Sequence, residues 1–196
     1  VFVFLLMPPI FAVKGAYLSE EFSFSALAEF FIAAILLFQF KIENKCEKKS
    51  ANEKFILLVN SLKWGALTLG FLMLIFAAVH AFCFAFKISS AQTDILLKNP
   101  ENFSSCIFLT FTLAAGAFFE EAVYRQFVPE TLNSLLKKWK IPVEIFSVVI
   151  FALAHRYLGW ISVFNAAFCG AVLRLCRIKT ASIAPSFSAH FIYNLS

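Results

Sequence analysis

Residues 105–125 read SCIFLTFTLAAGAFFEEAVYR, an uncharged apolar run that ends in two adjacent glutamates and an arginine. A carboxylate in or beside hydrocarbon is costly, so an ionisable residue inside a membrane indicates a functional site. Arg125 lies four residues after Glu121, so the two side chains share one helix face and can form an ion pair. Glu120 lies about 100° around the helix and need not share that arginine. The stretch therefore predicts a membrane helix whose two carboxylates have different roles.

The apolar character extends along the whole chain. Of its 196 residues, 61% are hydrophobic and 15% are charged, with a mean hydropathy of +0.81. A soluble domain has about 45–50% apolar and about 25% charged residues. We therefore expect an all-α, polytopic bundle of transmembrane helices whose first partner is the lipid bilayer. The net charge of +5 does not indicate nucleic-acid binding, because the lysines fall in short loops between apolar segments.

The pattern predicts about seven membrane helices and one amphipathic surface helix. A spanning helix needs about 20 apolar residues, and the candidates are residues 1–13, 22–40, 64–86, 103–128, 143–155, 158–175 and 180–196. Residues 55–62 are expected along the membrane interface, and residues 129–141 as the amphipathic helix. The chain then divides into N-terminal helices (1–102), with a charged cytoplasmic loop at 41–54, and a catalytic core (103–196), which together form one membrane domain.

The distribution of basic residues predicts the orientation. With the N-terminus inside, the inner loops 41–54, 129–141 and 174–179 hold 11 lysines and arginines, whereas the outer side holds 4. We expect a multi-pass protein of the plasma (inner) membrane whose site opens to the cytoplasm.

Close helix packing is also predicted. Small residues cluster at 114–117 and 166–171, and such residues let helix backbones approach each other, so the fourth and sixth predicted helices should pack together. Asn165 is expected to form a hydrogen bond between helices. Glu29, in the second predicted helix, has no evident partner.

Three predicted helices bring polar side chains to a similar depth. At a rise of about 1.5 Å per residue, Glu120 lies about 13 Å, His155 about 19 Å and His190 about 15 Å from the cytoplasmic surface. Asn194 lies one turn after His190 on the same helix face. A shared polar pocket in the cytoplasmic half of the membrane follows.

The chemistry of this set fits activation of a water molecule. A desolvated glutamate such as Glu120 can act as a general base near neutral pH. His155 could hold the same water or pass a proton, and His190 and Asn194 could donate to an oxyanion. No serine or cysteine is placed as a nucleophile. The predicted reaction is hydrolysis by activated water, with an amide as the expected bond.

Other interpretations of the same residues stay open at this point. Two glutamates and two histidines are a reasonable ligand set for zinc, although the sequence lacks HExxH. The glutamates could also cap a helix end beside Arg125, His155 could mark a helix end, and His190 and Asn194 could bond between helices. We expect no cofactor.

Three motifs carry a resemblance to a known family. They are EExxxR at 120–125, FxxxH at 151–155 and HxxxN at 190–194. In this order, on membrane helices, they resemble the CPBP family (CAAX proteases and bacteriocin-processing enzymes, formerly Abi). The family includes the type II CAAX prenyl endopeptidases and proteins like lysostaphin resistance protein A. The resemblance covers roughly residues 103–196.

The resemblance implies an intramembrane glutamic endopeptidase that cleaves membrane-associated, lipidated or leader-type peptides. By this analogy Glu120 and His155 hold the water, His190 and Asn194 form the oxyanion site, and Glu121 and Arg125 support them without a metal. The rivals are a non-catalytic bacteriocin self-immunity or scaffold protein on the same fold, a zinc-dependent intramembrane protease, and a transporter that uses the carboxylates as a proton relay.

Overall fold

The computed structural model describes residues 24–43, 50–88 and 102–196. Within these ranges the regular structure is helical and no strand forms, which confirms the predicted all-α class. The helices are α1 (Phe24–Glu43), α2 (Ala51–Ala85), α3 (Phe103–Glu120), a π-helical turn (Glu121–Phe127), α4 (Val128–Leu135), α5 (Lys140–Ala154), a 3-10 turn (Arg156–Leu158), α6 (Trp160–Thr180) and α7 (Ala184–Leu195).

Local sequence signals fix where several helices begin. Ser50 and Glu53 form a reciprocal capping box at the start of α2: the Ser50 hydroxyl oxygen accepts from the Glu53 N–H at 3.3 Å, and Glu53 Oε2 accepts from the Ser50 N–H at 2.7 Å. Asn102 Oδ1 accepts from the Ser105 N–H at 2.8 Å and caps α3. Gly159, with φ of 99°, allows the turn into α6.

Three helical stretches are long and apolar enough to cross a membrane. They are Asn52–Ala85, Phe103–Leu135 and Trp160–Thr180, and α1 adds a shorter apolar stretch, Phe24–Phe40. These helices indicate an integral membrane protein. The predicted count of seven spans is not confirmed, because α5 and α7 have only 15 and 12 residues, and the candidate at 1–13 lies outside the described residues.

The predicted boundaries of the loop at 41–54 are wrong, and the interfacial location of residues 55–62 stays a prediction. Helix α1 continues to Glu43, and α2 begins at Ala51 and runs without interruption to Ala85. The physical reason is the capping box at Ser50, which starts the helix before the apolar span and leaves no break for a separate segment.

The predicted amphipathic helix at 129–141 is also wrong in its extent. Helix α3 continues through the π-helical turn into α4, which ends at Leu135, and Lys140 already belongs to α5. Pro129 does not end the helix, although it lacks the N–H that an interior helical residue uses. The depth of Glu120 was measured from the end of the predicted span 103–128, next to Pro129. Since the helix continues past that point, the estimated depth no longer follows.

The small residues pack against other helices than predicted. Helices α3 and α6 are not a principal contact pair among the described elements: α3 packs on α1 and α7, and α6 on α2 and α5. Gly116 faces Glu29 of α1, and Gly170 faces Phe151 of α5. The expected bond of Asn165 forms, because its side-chain amide donates to the Tyr193 hydroxyl of α7 at 3.0 Å.

Candidate active site

The site begins where α3 passes into the π-helical turn, a geometry that often marks functional sites. Glu121 and Arg125 are 0% and 2% exposed, and their predicted ion pair forms with Arg125 Nε 3.3 Å from Glu121 Oε1. The Arg125 guanidinium carbon also lies 3.7 Å from the centroid of the Phe151 ring. A buried carboxylate and an aromatic face thus compensate the charge of Arg125 together.

His190 of α7 lies between the two glutamates. Its Nδ1 is 3.1 Å from Glu121 Oε1, and its Nε2 is 3.5 Å from Glu120 Oε2. Ionised Glu121 can only accept a hydrogen bond, so Nδ1 of His190 carries a hydrogen and Nε2 is the nitrogen presented to Glu120. The ring therefore couples the buried carboxylate to the accessible one.

His155 approaches Glu120 from the C-terminal end of α5. Its Nε2 is 4.0 Å from Glu120 Oε1, and its Nδ1 is 2.9 Å from the carbonyl oxygen of Phe151. Because a carbonyl only accepts, Nδ1 of His155 donates to it, which leaves Nε2 of the neutral ring as an acceptor directed at Glu120. Both histidines are thus oriented by their Nδ1 hydrogens.

Glu120 and Glu121 differ sharply in their access to solvent. The Glu120 side chain is 28% exposed, whereas Glu121 is fully buried. Only Glu120 can meet both a substrate and the histidines, because Glu121 is enclosed with Arg125 and His190. This difference agrees with the separate roles predicted for the two carboxylates.

Asn194 is the one predicted site residue that the structure does not tie to the others. It is half-buried on α7, one turn after His190. Within the described part of the chain its side chain makes no hydrogen bond to the glutamates or the histidines. The oxyanion role of Asn194 stays a prediction.

No metal centre is formed by the predicted residues as they lie here. In the ranges 24–43, 50–88 and 102–196, no three His, Cys, Asp or Glu side chains are grouped so that they could hold a metal ion. The effect of a chelator on the cleavage rate tests the zinc alternative.

Comparison with known proteins now gives the family. A family model described as type II CAAX prenyl endopeptidase Rce1-like matches residues 102–196, the segment that holds all three motifs. The match covers just under half of the chain, so the similarity to the Rce1-like family is shown for this segment. The match confirms the predicted resemblance and supports a CAAX-type membrane protease at the level of the family. Searches of the curated proteins and of the solved structures found no match.

One residue of the Rce1-like segment has a larger part in the site than its motif indicated. Phe151, the first residue of FxxxH, offers its ring face to Arg125, and its ring centroid lies 4.7 Å from that of His155 and 6.3 Å from that of His190. The sequence signal was present, since Phe151 and His155 are four residues apart on one helix face, but it did not identify Arg125 as a neighbour.

A third carboxylate, that of Glu29 from outside the Rce1-like segment, also approaches the site. Glu29 Oε2 lies 3.8 Å from the position that a Cβ would take on Gly116, one turn before Glu120. Burial raises the pKa of the Tyr157 hydroxyl, and the negative charges of Glu120 and Glu29 raise it further. The sequence placed Glu29 in an apolar helix but could not supply its neighbours.

Proposed function

We propose that this chain is an intramembrane endopeptidase that hydrolyses peptide bonds with water activated by Glu120. The observation that carries the proposal is the placement of one accessible carboxylate opposite Nε2 of two histidines. Both rings are held by their Nδ1 hydrogens, so Nε2 of His155 is free to accept from a water beside Glu120 and Nε2 of His190 is free to serve the oxyanion.

The hydrolysis follows from these atoms. Glu120 removes one proton from water while Nε2 of His155 accepts a hydrogen bond from the other, which stays on the oxygen, and the resulting hydroxide oxygen bonds to the peptide carbonyl carbon. The carbon–nitrogen bond then breaks as protonated Glu120 returns its proton to the leaving amine. The gap of 4.0 Å between Glu120 Oε1 and His155 Nε2 is slightly too wide for a direct hydrogen bond, and a water beside it can contact both groups.

The tetrahedral oxyanion needs donors on the other side of the carbonyl. His190 lies within 3.5 Å of both carboxylates and can donate from Nε2 when that nitrogen carries a hydrogen. Asn194 supplies the second donor in this proposal, from the same face of α7. Glu121 and Arg125 hold His190 rather than touch the substrate.

The substrate class follows from the site's setting. Both glutamates of the site lie in Phe103–Leu135, a helical stretch long and apolar enough to span a membrane, so we propose a membrane-associated peptide or lipidated protein as substrate, and no nucleic acid. The excess of basic residues in the predicted inner loops favours an inner-membrane protein whose site opens to the cytoplasm.

The test is cleavage of a membrane-presented peptide library by the purified full chain in lipid nanodiscs. Glu120→Gln and His155→Asn should each abolish cleavage while the helical content is retained. His80→Asn is the matched control, because His80 lies in α2, outside the site, and its ring is tilted against that of Phe76 at a centroid distance of 4.0 Å.

The outcomes separate the rival functions. Cleavage that survives in Glu120→Gln would overturn the proposed base. A folded wild-type chain that cleaves no member of the library would favour the non-catalytic immunity or scaffold protein. Proton-coupled uptake into vesicles without cleavage would favour the transporter.

A further inference from the structure

Pro129 removes one backbone donor from the active-site helix, at a point where the carbonyls of Arg125 and Tyr124 are the acceptors that a residue 129 N–H could reach. Proline has no N–H. In an α-helical register residue 129 would donate to the carbonyl of Arg125, and in a π-helical register to that of Tyr124. The π register is present here, since the N–H of Val128 donates to the Val123 carbonyl. A buried carbonyl without a donor is costly, so the donors must come from elsewhere.

Two side chains from other helices supply these donors. The Ser147 hydroxyl of α5 donates to the Tyr124 carbonyl at 2.5 Å, and Arg174 Nη1 of α6 donates to the Arg125 carbonyl at 2.5 Å. Ser147 is 2% exposed and Arg174 is 8% exposed. Both hydrogen bonds are therefore shielded from competing water.

Arg174 is itself held in a fixed orientation. Its Nε and Nη2 donate to the two oxygens of Glu144 at 2.5 and 2.8 Å, a bidentate geometry. Asn133 of α4 donates to the same carboxylate at 3.2 Å. With two donors used on Glu144, only Nη1 is directed at the π-helical turn, and a lysine could not make all three bonds.

We infer that Arg174 and Ser147 are positioning residues, which hold the π-helical turn so that Arg125 stays against Glu121. The contacts run in sequence: the Arg125 backbone is fixed by Arg174, its side chain pairs with Glu121, and Glu121 accepts from His190, which faces Glu120. The inference rests on the proposed function for its catalytic consequence but not for the conformation of the turn.

Arg177 offers a matched comparison within α6. It pairs with Glu130 of α4 at 2.6 Å, as Arg174 pairs with Glu144 of α5. Its only side-chain hydrogen bond within the described ranges is the one to Glu130, so it does not contact a carbonyl of the turn. A loss that comes merely from weakening an ion pair between helices should therefore appear for both arginines.

The experiment compares Arg174→Lys with Arg177→Lys, and Ser147→Ala with Ser147→Thr, in nanodiscs. Arg174→Lys and Ser147→Ala should lower kcat about 10- to 100-fold, with KM changed by less than about twofold because the substrate contacts remain. Ser147→Thr keeps the hydroxyl and should restore most of the rate. Hydrogen exchange should rise in peptides covering 121–135 for Arg174→Lys and Ser147→Ala only.

The two readouts keep the inference separate from the proposed function. If Arg174→Lys matches Arg177→Lys in both kcat and hydrogen exchange, the inference is wrong while proteolysis stands. The inference is also contradicted if Ser147→Thr shows the same low cleavage rate and the same raised hydrogen exchange as Ser147→Ala. If the wild type does not cleave, the proposed function fails, and the exchange comparison still decides whether the turn is held as inferred.

Discussion

Replacing Glu121 by glutamine should destabilise the protein far more than the same change at Glu120. Glutamine keeps the size of the side chain and an oxygen that can accept from His190. What Glu121→Gln removes is the negative charge 3.3 Å from Arg125 Nε. Arg125 is then left buried, and among the described residues the ring of Phe151 is the contact that remains to compensate its charge.

The magnitude follows from burial. Glu121 and Arg125 are 0% and 2% exposed, and removing one partner of such a buried pair costs about 3–5 kcal/mol. Glu120 is 28% exposed and can be hydrated, so Glu120→Gln should change the free energy of unfolding by about 0–1 kcal/mol. The expected difference between the two variants is therefore several kcal/mol.

Equilibrium unfolding of the detergent-solubilised chain measures this difference, with the fluorescence of its three tryptophans as the signal. The double variant Glu121→Gln/Arg125→Met removes both charges. It should lose clearly less stability than the sum of the single variants, because no uncompensated charge remains.

Two results would refute the reasoning. One is a free energy of unfolding for Glu121→Gln within 1 kcal/mol of that of Glu120→Gln, which would mean that the buried charge is compensated elsewhere. The other is strict additivity in the double-mutant cycle, which would mean that Glu121 and Arg125 do not interact in the folded protein.

Three further predictions concern the site. Gly170→Ala places a Cβ 2.7 Å from a carbon of the Phe151 ring and should cost about 1–3 kcal/mol and slow cleavage, whereas Gly70→Ala meets nothing within 4 Å and should be neutral or stabilising in thermal unfolding. His155→Asn should lower kcat about 10²- to 10⁴-fold without a comparable loss of stability, and an equal fall in both would make His155 a structural residue. Chelator should leave the initial rate unchanged if Glu120 activates the water, and loss restored by zinc would favour the metal-dependent protease.

Much of the local chemistry could be predicted from the sequence because it depends on spacing within one helix. Glu121 and Arg125 are four residues apart, so helix geometry alone brings them together. The three motifs predicted the family that the match over residues 102–196 confirms. The all-α class could also be predicted, because it depends on the long apolar runs along the chain. These runs are visible in the sequence without knowledge of how the helices pack.

Pro129 shows where such reasoning fails. A proline after an apolar run predicts a helix end, and the sequence analysis placed one there. The helix continues instead through a π-helical turn, because Ser147 and Arg174 donate to the carbonyls that the proline leaves free. Ser147 lies 23 residues from Tyr124, and Arg174 lies 49 residues from Arg125, so no local pattern could identify these donors.

The sequence by itself predicted an α-helical membrane protein with one glutamate paired to an arginine and one that is not, and showed which family its second half resembles. Only the tertiary structure decided that His190 lies between the two glutamates, 69 residues from Glu121, and that Phe151 contacts the Arg125 charge. The reason is physical: spacing along one helix fixes its faces, whereas contacts between helices depend on the rotation and depth at which they pack.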